Sequence, residues 1–472
     1  MRHLLLLPLI LLFTFPVTAQ TTQKKVAVIL YNFENHNLQT TTPDNARSDV
    51  FTRTGLFQTG SVNAYYKENS YGHLELVGAL RSDGDVFGWY TIPDSVVSYS
   101  SNLTCGSVGV GAATTMAAVD GFVRSNYDIV IYVFPGSVCN YNATTQGTTI
   151  YVNGSLTSTG FIAHEVGHAF GLQHAHALIC TDVNGALVPI SNSCTQYNWG
   201  YGDPFDVMAA AGAYHMNSYE KEIQNTGPWF DPANLQTVTA NGDYVITPFE
   251  AISNQVKYLK IRRDPKANSY WYVEFRQNYG FDIWADTNAV LQGVLIHLAP
   301  DPFSVSGPAS ALIDTTPGSH FGAAALAVGK TFADSAYGIS FTTLNVSSAG
   351  ATVRVTFDPT ACKSSPPWLA VTPLSEQGAP GQGLTYQISL RNNDISACYG
   401  STYNININAP AKWSVGPNSF SEPLMPGESV TREVFLMPPP GTKSNSYTIS
   451  QKAVNSSKKT LASSAQMTVT IH

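Results

Sequence analysis

Three histidines in one short segment have the spacing of metal ligands. The segment HEVGHAFGLQH runs from His164 to His174. His164 and His168 are four residues apart, so on a helix both imidazoles lie on one face and reach a single zinc ion at about 2.0–2.1 Å. Gly171 can adopt a positive φ and end the helix, and the turn that it allows brings His174 round as a third ligand. The pattern predicts a zinc site with His164, His168 and His174 as its ligands.

Glu165 adds a general base to this predicted site. It follows His164 directly and is rotated about the helix axis, so we expect its carboxylate to contact a zinc-bound water and not the metal. Three protein nitrogens leave a fourth position open, which is typical of catalytic zinc. Zinc lowers the pKa of its water towards about 7, Glu165 takes the proton, and the hydroxide attacks a peptide carbonyl. The expected activity is peptide-bond hydrolysis with Zn²⁺ as the cofactor. A secreted zinc-containing adhesion or binding protein with little or no proteolytic activity is the alternative, although such a site has no need of Glu165.

Two further segments carry candidate site residues. YGDPFDVMAA, residues 201–210, contains Met208, which suits a packed position in the core. Asp203 and Asp206 in the same segment either orient a ligand histidine through a hydrogen bond or simply form the turn. GTTIYVNGS, residues 147–155, precedes the histidines and is a candidate for the strand at the edge of a substrate cleft.

The histidine motif, YGDPFDVM and SYEKEI (Ser218–Ile223) together resemble the gametolysin (autolysin) family of secreted metzincin zinc peptidases. SVNAYYKENSYGHLEL, residues 61–76, is also similar to that family and to its bacterial relatives. The resemblance covers roughly residues 25–230 well and the following β-rich part more weakly. It implies a zinc endopeptidase in which Glu165 is the base and Met208 forms the Met-turn beneath the histidines. Some metzincins carry a tyrosine two residues after that methionine, and this sequence does not.

The segments around the histidine motif alternate between strand and helix patterns, which predicts an α/β domain. KVAVILY at residues 25–31 and YDIVIYVF at residues 127–134 are continuous apolar runs typical of buried strands. After about residue 240, helical periodicity is scarce, and beyond the linker KSSPP the strand patterns have the spacing of a sandwich. We expect an α/β metzincin-type catalytic domain followed by two all-β domains, the last an immunoglobulin-like sandwich. The predicted units are a signal peptide over residues 1–19 and domains over 20–240, 241–358 and 364–472.

The N-terminus and the cysteines indicate secretion. A short basic start, about 14 apolar residues and small residues before position 20 predict a cleaved signal peptide. The apolar run is too short to span a bilayer, so we expect an extracellular protein without a membrane anchor. Six cysteines agree with an oxidising compartment. Pairing of neighbours along the chain predicts disulfides between Cys105 and Cys139, Cys180 and Cys194, and Cys362 and Cys398.

The composition excludes some partners. The 472 residues include only 12% charged side chains, with a net charge of −7 and no basic run, which argues against nucleic-acid binding. Hydrophobic residues make up 43% of the chain, which argues against disorder. The expected partner is an extracellular protein or peptide substrate. A surface or polymer bound by the C-terminal sandwich is a further candidate, and the sequence predicts no oligomeric state.

Overall fold

The computed structural model describes residues 21–56, 59–93, 108–136, 138–139, 141–209, 212–225, 227, 229–305 and 307–472. The predicted signal peptide and Cys105 lie outside these residues. Most of the regular structure within them is β-strand, arranged in several sheets. No helix in this described part of the chain is both long and apolar enough to cross a membrane.

The first sheet forms the centre of the N-terminal region. Its strands are β1 (Thr22–Phe33), β2 (Leu74–Val77), β3 (Asp85–Ile92), β4 (Ile129–Phe134), β5 (Ala143–Gln146) and β6 (Thr149–Asn153). Their order is β2–β1–β4–β6–β5, and β3 also pairs with β1. All these pairs are parallel except that of β5 with β6. The continuous apolar run of β1 follows from burial of both faces, since its alternate residues belong to two different cores.

Helices cover both faces of this sheet. They are α1 (Pro43–Arg47), α2 (Val62–Asn69), α3 (Val110–Val119) and α4 (Thr159–Ala169), and a π-helical turn at Ser48–Thr52 continues α1. Side chains of α2 and α4 contribute to one core, and those of α3 to the core on the opposite face. Ser61 caps α2 and Ser158 caps α4, because each serine side chain accepts a backbone N–H of the first turn.

The next region contains α5 (Ser218–Ile223) and thirteen strands of the described chain. The strands are β7 (His176–Thr181), β8 (Leu187–Val188), β9 (Ser193–Gln196), β10 (Leu235–Val238), β11 (Gly242–Ile246), β12 (Tyr258–Asp264), β13 (Ser269–Glu274), β14 (Gly293–Ala299), β15 (Ala311–Ile313), β16 (Leu326–Ala327), β17 (Thr331–Asp334), β18 (Ile339–Ser347) and β19 (Gly350–Phe357).

These strands form two sheets around one core. The larger sheet has the order β10–β12–β13–β14–β15–β7–β8, with β9 beside β7 and β16 beside β14, and the smaller has the order β11–β19–β18–β17. Strand β7 follows the histidine motif directly, yet it pairs in parallel with β15, where His176 is opposite Ala311. The predicted boundary between residues 240 and 241 therefore cuts across this sheet. The periodicity of a strand indicates which residues are buried, but it does not indicate which distant strand is its neighbour.

The C-terminal region is a β-sandwich. Its strands are β20 (Trp368–Thr372), β21 (Ser375–Gly378), β22 (Leu384–Arg391), β23 (Ser401–Asn408), β24 (Ser414–Gly416), β25 (Ser419–Leu424), β26 (Ser429–Met437), β27 (Asn445–Asn455) and β28 (Ala462–Ile471). One sheet has the order β20–β22–β26–β24, and the other has the order β21–β28–β27–β23–β25. Side chains of both sheets share one hydrophobic core, as expected for a sandwich.

Two of the predicted disulfides are present. Cys180 and Cys194 join β7 to its neighbour β9, with a Cα–Cα distance of 4.0 Å. Cys362 and Cys398 tie the linker before β20 to the sandwich, with a Cα–Cα distance of 4.6 Å. The third predicted pair includes Cys105 and so lies outside the described residues.

Candidate metal centre

Helix α4 and the turn after it bring the three histidines together. His164 and His168 lie on one face of α4, with ring centroids 4.6 Å apart. The helix ends after Ala169, and Gly171 takes a φ of +89°, a left-handed conformation that glycine adopts without strain. The chain turns there and places the His174 ring 4.9 Å from that of His168. One ligand atom from each of the three imidazoles lies within 4.8 Å of the others.

Backbone carbonyls orient two of these rings. Nδ1 of His164 lies 2.8 Å from the carbonyl oxygen of Val207, and Nδ1 of His168 lies 2.9 Å from that of Leu172. When these Nδ1–H groups donate, the Nε2 atoms carry lone pairs. Nε2 of His168 and Nε2 of His174 are only 3.1 Å apart.

The protonation of the triad also suits a cation. Burial, followed by the charge of neighbouring histidines, lowers the pKa of His164 to about 4 and that of His174 to about 3. Both imidazoles are therefore neutral at neutral pH, the form that binds a metal ion. Converging nitrogen atoms from three imidazoles are a donor set that fits zinc.

Glu165 is next to His164 on α4 and is 8% exposed. The hydroxyl of Thr145, on the edge strand β5, donates to Oε2 of Glu165 at 2.6 Å and lies 3.0 Å from the carbonyl oxygen of the same residue. Burial raises the pKa of Glu165, and the Thr145 hydrogen bond and the charge of His168 oppose that effect. Thr145 is not among the residues that the sequence predicts for the site, because the contact joins segments 20 residues apart.

Met208 lies in a turn directly beneath α4. The side chain is fully buried, and a Cβ added to Gly167 of α4 would collide with its sulfur. The carbonyl of Met208 accepts the N–H of Ala175, the residue after His174, at 3.2 Å. This turn therefore contacts both α4 and the segment that carries His174.

Asp203 and Asp206 shape this turn and do not orient the triad. Oδ1 of Asp206 accepts the N–H of Met208 at 2.7 Å, and Oδ1 of Asp203 accepts the N–H of Phe205 at 2.9 Å. Oδ2 of Asp203 pairs with Nε2 of His297 on β14 at 2.9 Å. In the described chain, neither carboxylate hydrogen bonds to a histidine of the triad. Of the two alternatives for these residues, a hydrogen bond that orients a ligand histidine is therefore wrong, and turn formation describes both residues.

Asp206 also connects the turn to α5. Its Oδ2 accepts the N–H of Asn217 at 2.6 Å and the side-chain amide of Asn217 at 2.9 Å. Asn217 in turn caps α5 by accepting the N–H groups of Tyr219 and Glu220. Burial, followed by the negative charge of Asp203, raises the pKa of Asp206 to about 7.

A buried charge network continues from α5 into the larger β-sheet. Oε2 of Glu274 accepts the N–H of Ser218 at 2.8 Å. Nε of Arg276 donates to Oε1 of Glu274 at 2.8 Å, and its Nη1 donates to Oδ2 of Asp282 at 2.7 Å. Burial acts to raise the pKa of Glu274, but the charges of Arg276 and His297 outweigh it and the pKa is lowered. The β-rich region thus supports the turn beneath the triad.

The triad opens into a cleft that consists of two adjoining cavities. Their volumes are about 260 Å³ and about 380 Å³, and both are lined by Ala143, His164, Glu165 and Tyr201. The edge of the sheet beside the cleft is β5. The expectation that residues 147–155 form this edge is wrong, because that segment contains β6, which lies between β4 and β5.

Tyr201 is a second site residue that the sequence does not predict. Its ring centroid lies 3.8 Å from that of His174 and 6.0 Å from that of His164. Burial, followed by the negative charge of Glu165, raises the pKa of the phenol. The only sequence signal is its position at the start of the segment that contains Met208.

Comparison with known proteins does not identify a family. No protein-family model and no curated protein matches the chain. Among the solved structures that match are the PapD-like domain 7 of human CEP192, with 10% identity over 25% of this chain and 88% of that chain and a TM-score of 0.17; the E. coli chaperone DraB, with 16% identity over 22% and 54% and a TM-score of 0.17; and the secreted serine protease VesC from Vibrio cholerae, with 13% identity over 28% and 32% and a TM-score of 0.18. At these TM-scores the similarities carry no argument about fold or function.

Proposed function

We propose that this protein is a secreted zinc endopeptidase with a metzincin-type catalytic domain similar to that of gametolysin. The observation that carries the proposal is the convergence of His164, His168 and His174 beside the carboxylate of Glu165. A bound zinc ion would act as a Lewis acid and lower the pKa of a water molecule towards about 7.

The residues of the chain have separate roles in the proposed reaction. Glu165 takes a proton from the attacking water and passes it to the leaving amine. The Thr145 hydroxyl holds the carboxylate through its 2.6 Å hydrogen bond. Met208 supports the helix from below, and its turn is fixed by Asp206.

The edge strand supports a peptide as the substrate. Within the described chain, β5 pairs with β6 on one side and ends the sheet on the other. Its residues Ala143, Thr144 and Thr145 line the cleft next to the triad. An extended peptide can add to such an edge through main-chain hydrogen bonds, which presents a scissile carbonyl to the site.

The disulfides and the C-terminal sandwich are consistent with an extracellular enzyme. The two disulfides agree with an oxidising compartment. We assign the C-terminal sandwich an immunoglobulin-like fold and a role in holding the enzyme on a surface or polymer. The alternative function, a zinc-containing adhesion or binding protein, leaves Glu165 and its hydrogen bond from Thr145 without a purpose.

Cleavage of a mixed peptide library tests the proposed function. The purified zinc-loaded protein is compared with Glu165→Gln, which keeps the shape of the side chain but removes the base. Glu433→Gln is the matched control, because Glu433 is an exposed residue of β26. We expect cleavage by the wild type and by Glu433→Gln, and its loss in Glu165→Gln with zinc still bound. Zinc binding without cleavage in all three proteins supports the adhesion or binding alternative.

A further inference from the structure

The ring of Tyr201 packs over the candidate metal ligands. It lies closest to His174, with a 36° angle between the ring planes, and it is nearly parallel to the ring of His164, at 19°. Both cavities of the cleft are lined by Tyr201 and Glu165 together. The phenol therefore shares with the general base the space in which a substrate carbonyl must lie.

The hydroxyl of Tyr201 is available to a ligand. Other tyrosines of this region use their hydroxyls internally: Tyr31 donates to Val108 and Tyr66 donates to Ala163. In the described residues, no group hydrogen bonds to the hydroxyl of Tyr201, and the residue is 42% exposed. A phenol hydroxyl can donate a hydrogen bond to a carbonyl oxygen.

A strained turn fixes the backbone of Tyr201. Its N–H donates to the carbonyl oxygen of Asn198 at 3.0 Å, and its own carbonyl accepts the side-chain amide of Asn198 at 3.1 Å. Asn198 and Trp199 have φ values of 51° and 56°, in the left-handed region that residues other than glycine rarely adopt. Such conformations persist where surrounding contacts impose them, and they concentrate at functional sites.

The turn packs against a buried pair formed by His176 and Asp301. Nδ1 of His176 lies 2.6 Å from Oδ2 of Asp301, and the amide of Gln196 donates to the same oxygen at 3.0 Å. A Cβ added to Gly200 would lie 3.4 Å from the buried ring of His176. The loop is therefore seated on a buried His–Asp pair, which presents Tyr201 to the cleft.

We propose that Tyr201 is a catalytic residue whose hydroxyl donates a hydrogen bond to the carbonyl oxygen of the scissile peptide bond. This role rests on the proposed peptidase function. When water adds to the carbonyl carbon, electrons move to that oxygen and its negative charge strengthens the hydrogen bond. The proton remains on Tyr201 throughout, so the residue forms and breaks no covalent bond. Glu165 handles the proton of the water, and Tyr201 stabilises the oxyanion.

Tyr201→Phe tests this role because it keeps the ring and removes only the hydroxyl. Tyr197→Phe is the matched control: Tyr197 lies in the same loop but packs against Phe321, with ring centroids 5.1 Å apart. The full-length zinc-loaded proteins are compared for kcat and KM on one peptide, for zinc content and for melting temperature. Calorimetry measures their affinity for a phosphinic peptide, whose tetrahedral anion mimics the oxyanion, and for the corresponding cleaved product.

We expect Tyr201→Phe to lower kcat about 100-fold, in line with loss of one oxyanion donor, with KM within about twofold. The affinity for the phosphinic peptide falls by the same factor, while the affinity for the product, the zinc content and the melting temperature stay unchanged. If the wild type cleaves the peptide and Tyr201→Phe has the same kcat, the role of Tyr201 is overturned while the proposed function stands. Loss of zinc, or equal weakening of phosphinic peptide and product, also overturns it. Absence of cleavage by the wild type overturns the proposed function itself.

Discussion

Arg276→Met is predicted to destabilise the protein strongly, because it breaks the buried network behind the candidate site. Arg276, Glu274 and Asp282 have no exposed side-chain surface. Removing one partner of a buried ion pair costs about 3–5 kcal/mol, since the remaining charge stays buried without a counter-charge. Here two carboxylates lose the same partner, so we expect a loss near 5 kcal/mol in the free energy of unfolding. Methionine fills most of the space of the arginine stem, which keeps the cavity small.

Arg354→Met is the matched control. Arg354 makes two hydrogen bonds to Asp243, at 2.7 and 2.9 Å, but the two side chains are 53% and 44% exposed. Water solvates both charges whether or not they are paired, so such a pair contributes little to the free energy of unfolding. The comparison separates the effect of burial from that of pairing.

Urea unfolding of the full-length proteins measures both losses. Trp229 and Trp271 are buried in the core of the first sheet and in the core of the β-rich region, so their fluorescence reports unfolding of both regions. The lowered pKa of Glu274 means that its contribution is present above the unfolded pKa of about 4.3 and is lost as the pH falls through the folded pKa. The difference between wild type and Arg276→Met must therefore shrink in acid. A loss no larger than that of Arg354→Met, or one that does not change between about pH 7 and pH 3, would refute the reasoning.

Three further predictions concern the site. Thr145→Val removes the hydroxyl that donates to the general base, so we expect kcat to fall about 10–100-fold at constant KM, with Thr145→Ser keeping most of the activity in the same peptide assay. Gly167→Ala adds a Cβ against the sulfur of Met208, so urea titration should show a loss of about 1–3 kcal/mol. His297→Gln removes an imidazole that is hydrogen bonded to Asp203. Burial acts to lower the pKa of His297, but the bond to Asp203 raises it. The stability that the charged imidazole contributes is present below the unfolded pKa of about 6.5 and is lost as pH rises through the folded pKa, so the substitution should cost more stability near pH 5 than near pH 9.

Each of these predictions has an outcome that contradicts it. Equal kcat values for Thr145→Val and wild type exclude a role of the hydroxyl contact. Gly111→Ala is the control for Gly167→Ala, because a Cβ at Gly111 of α3 meets nothing within 4 Å; similar effects of the two substitutions would remove the argument about packing against Met208. For His297→Gln, a stability loss of the same size at both pH values contradicts a charged imidazole in the folded state.

Local spacing is enough to predict the centre of the candidate site. The interval between His164 and His168 places them on one face of any α-helix, and Gly171 marks the turn to His174 because few other residues adopt its backbone conformation. Disulfides between cysteines that are neighbours along the chain can likewise be predicted from local sequence order. The structure contains two of them, Cys180–Cys194 and Cys362–Cys398.

Contacts between distant segments are not encoded in local patterns. Asp203 follows the motif closely enough to be a candidate partner of a ligand histidine, but it bonds to His297, 94 residues away. Asp203 lies in a turn pattern and His297 in a strand pattern, and neither pattern indicates that the two side chains meet. The predicted edge strand differs from the observed one by one strand for the same reason, since β5 and β6 both have strand character and only the sheet order distinguishes them.

The sequence alone indicates two histidines and a glutamate at fixed intervals along one helix, a glycine turn that leads to a third histidine, and the strand patterns of the remaining chain, because backbone geometry makes each of these a local property. Only the packed fold shows that Tyr201 packs against His174, that Thr145 bonds to Glu165 and that β7 joins a sheet built mainly from later residues. Such contacts depend on how whole elements pack, and packing reflects the sum of many weak interactions across the chain.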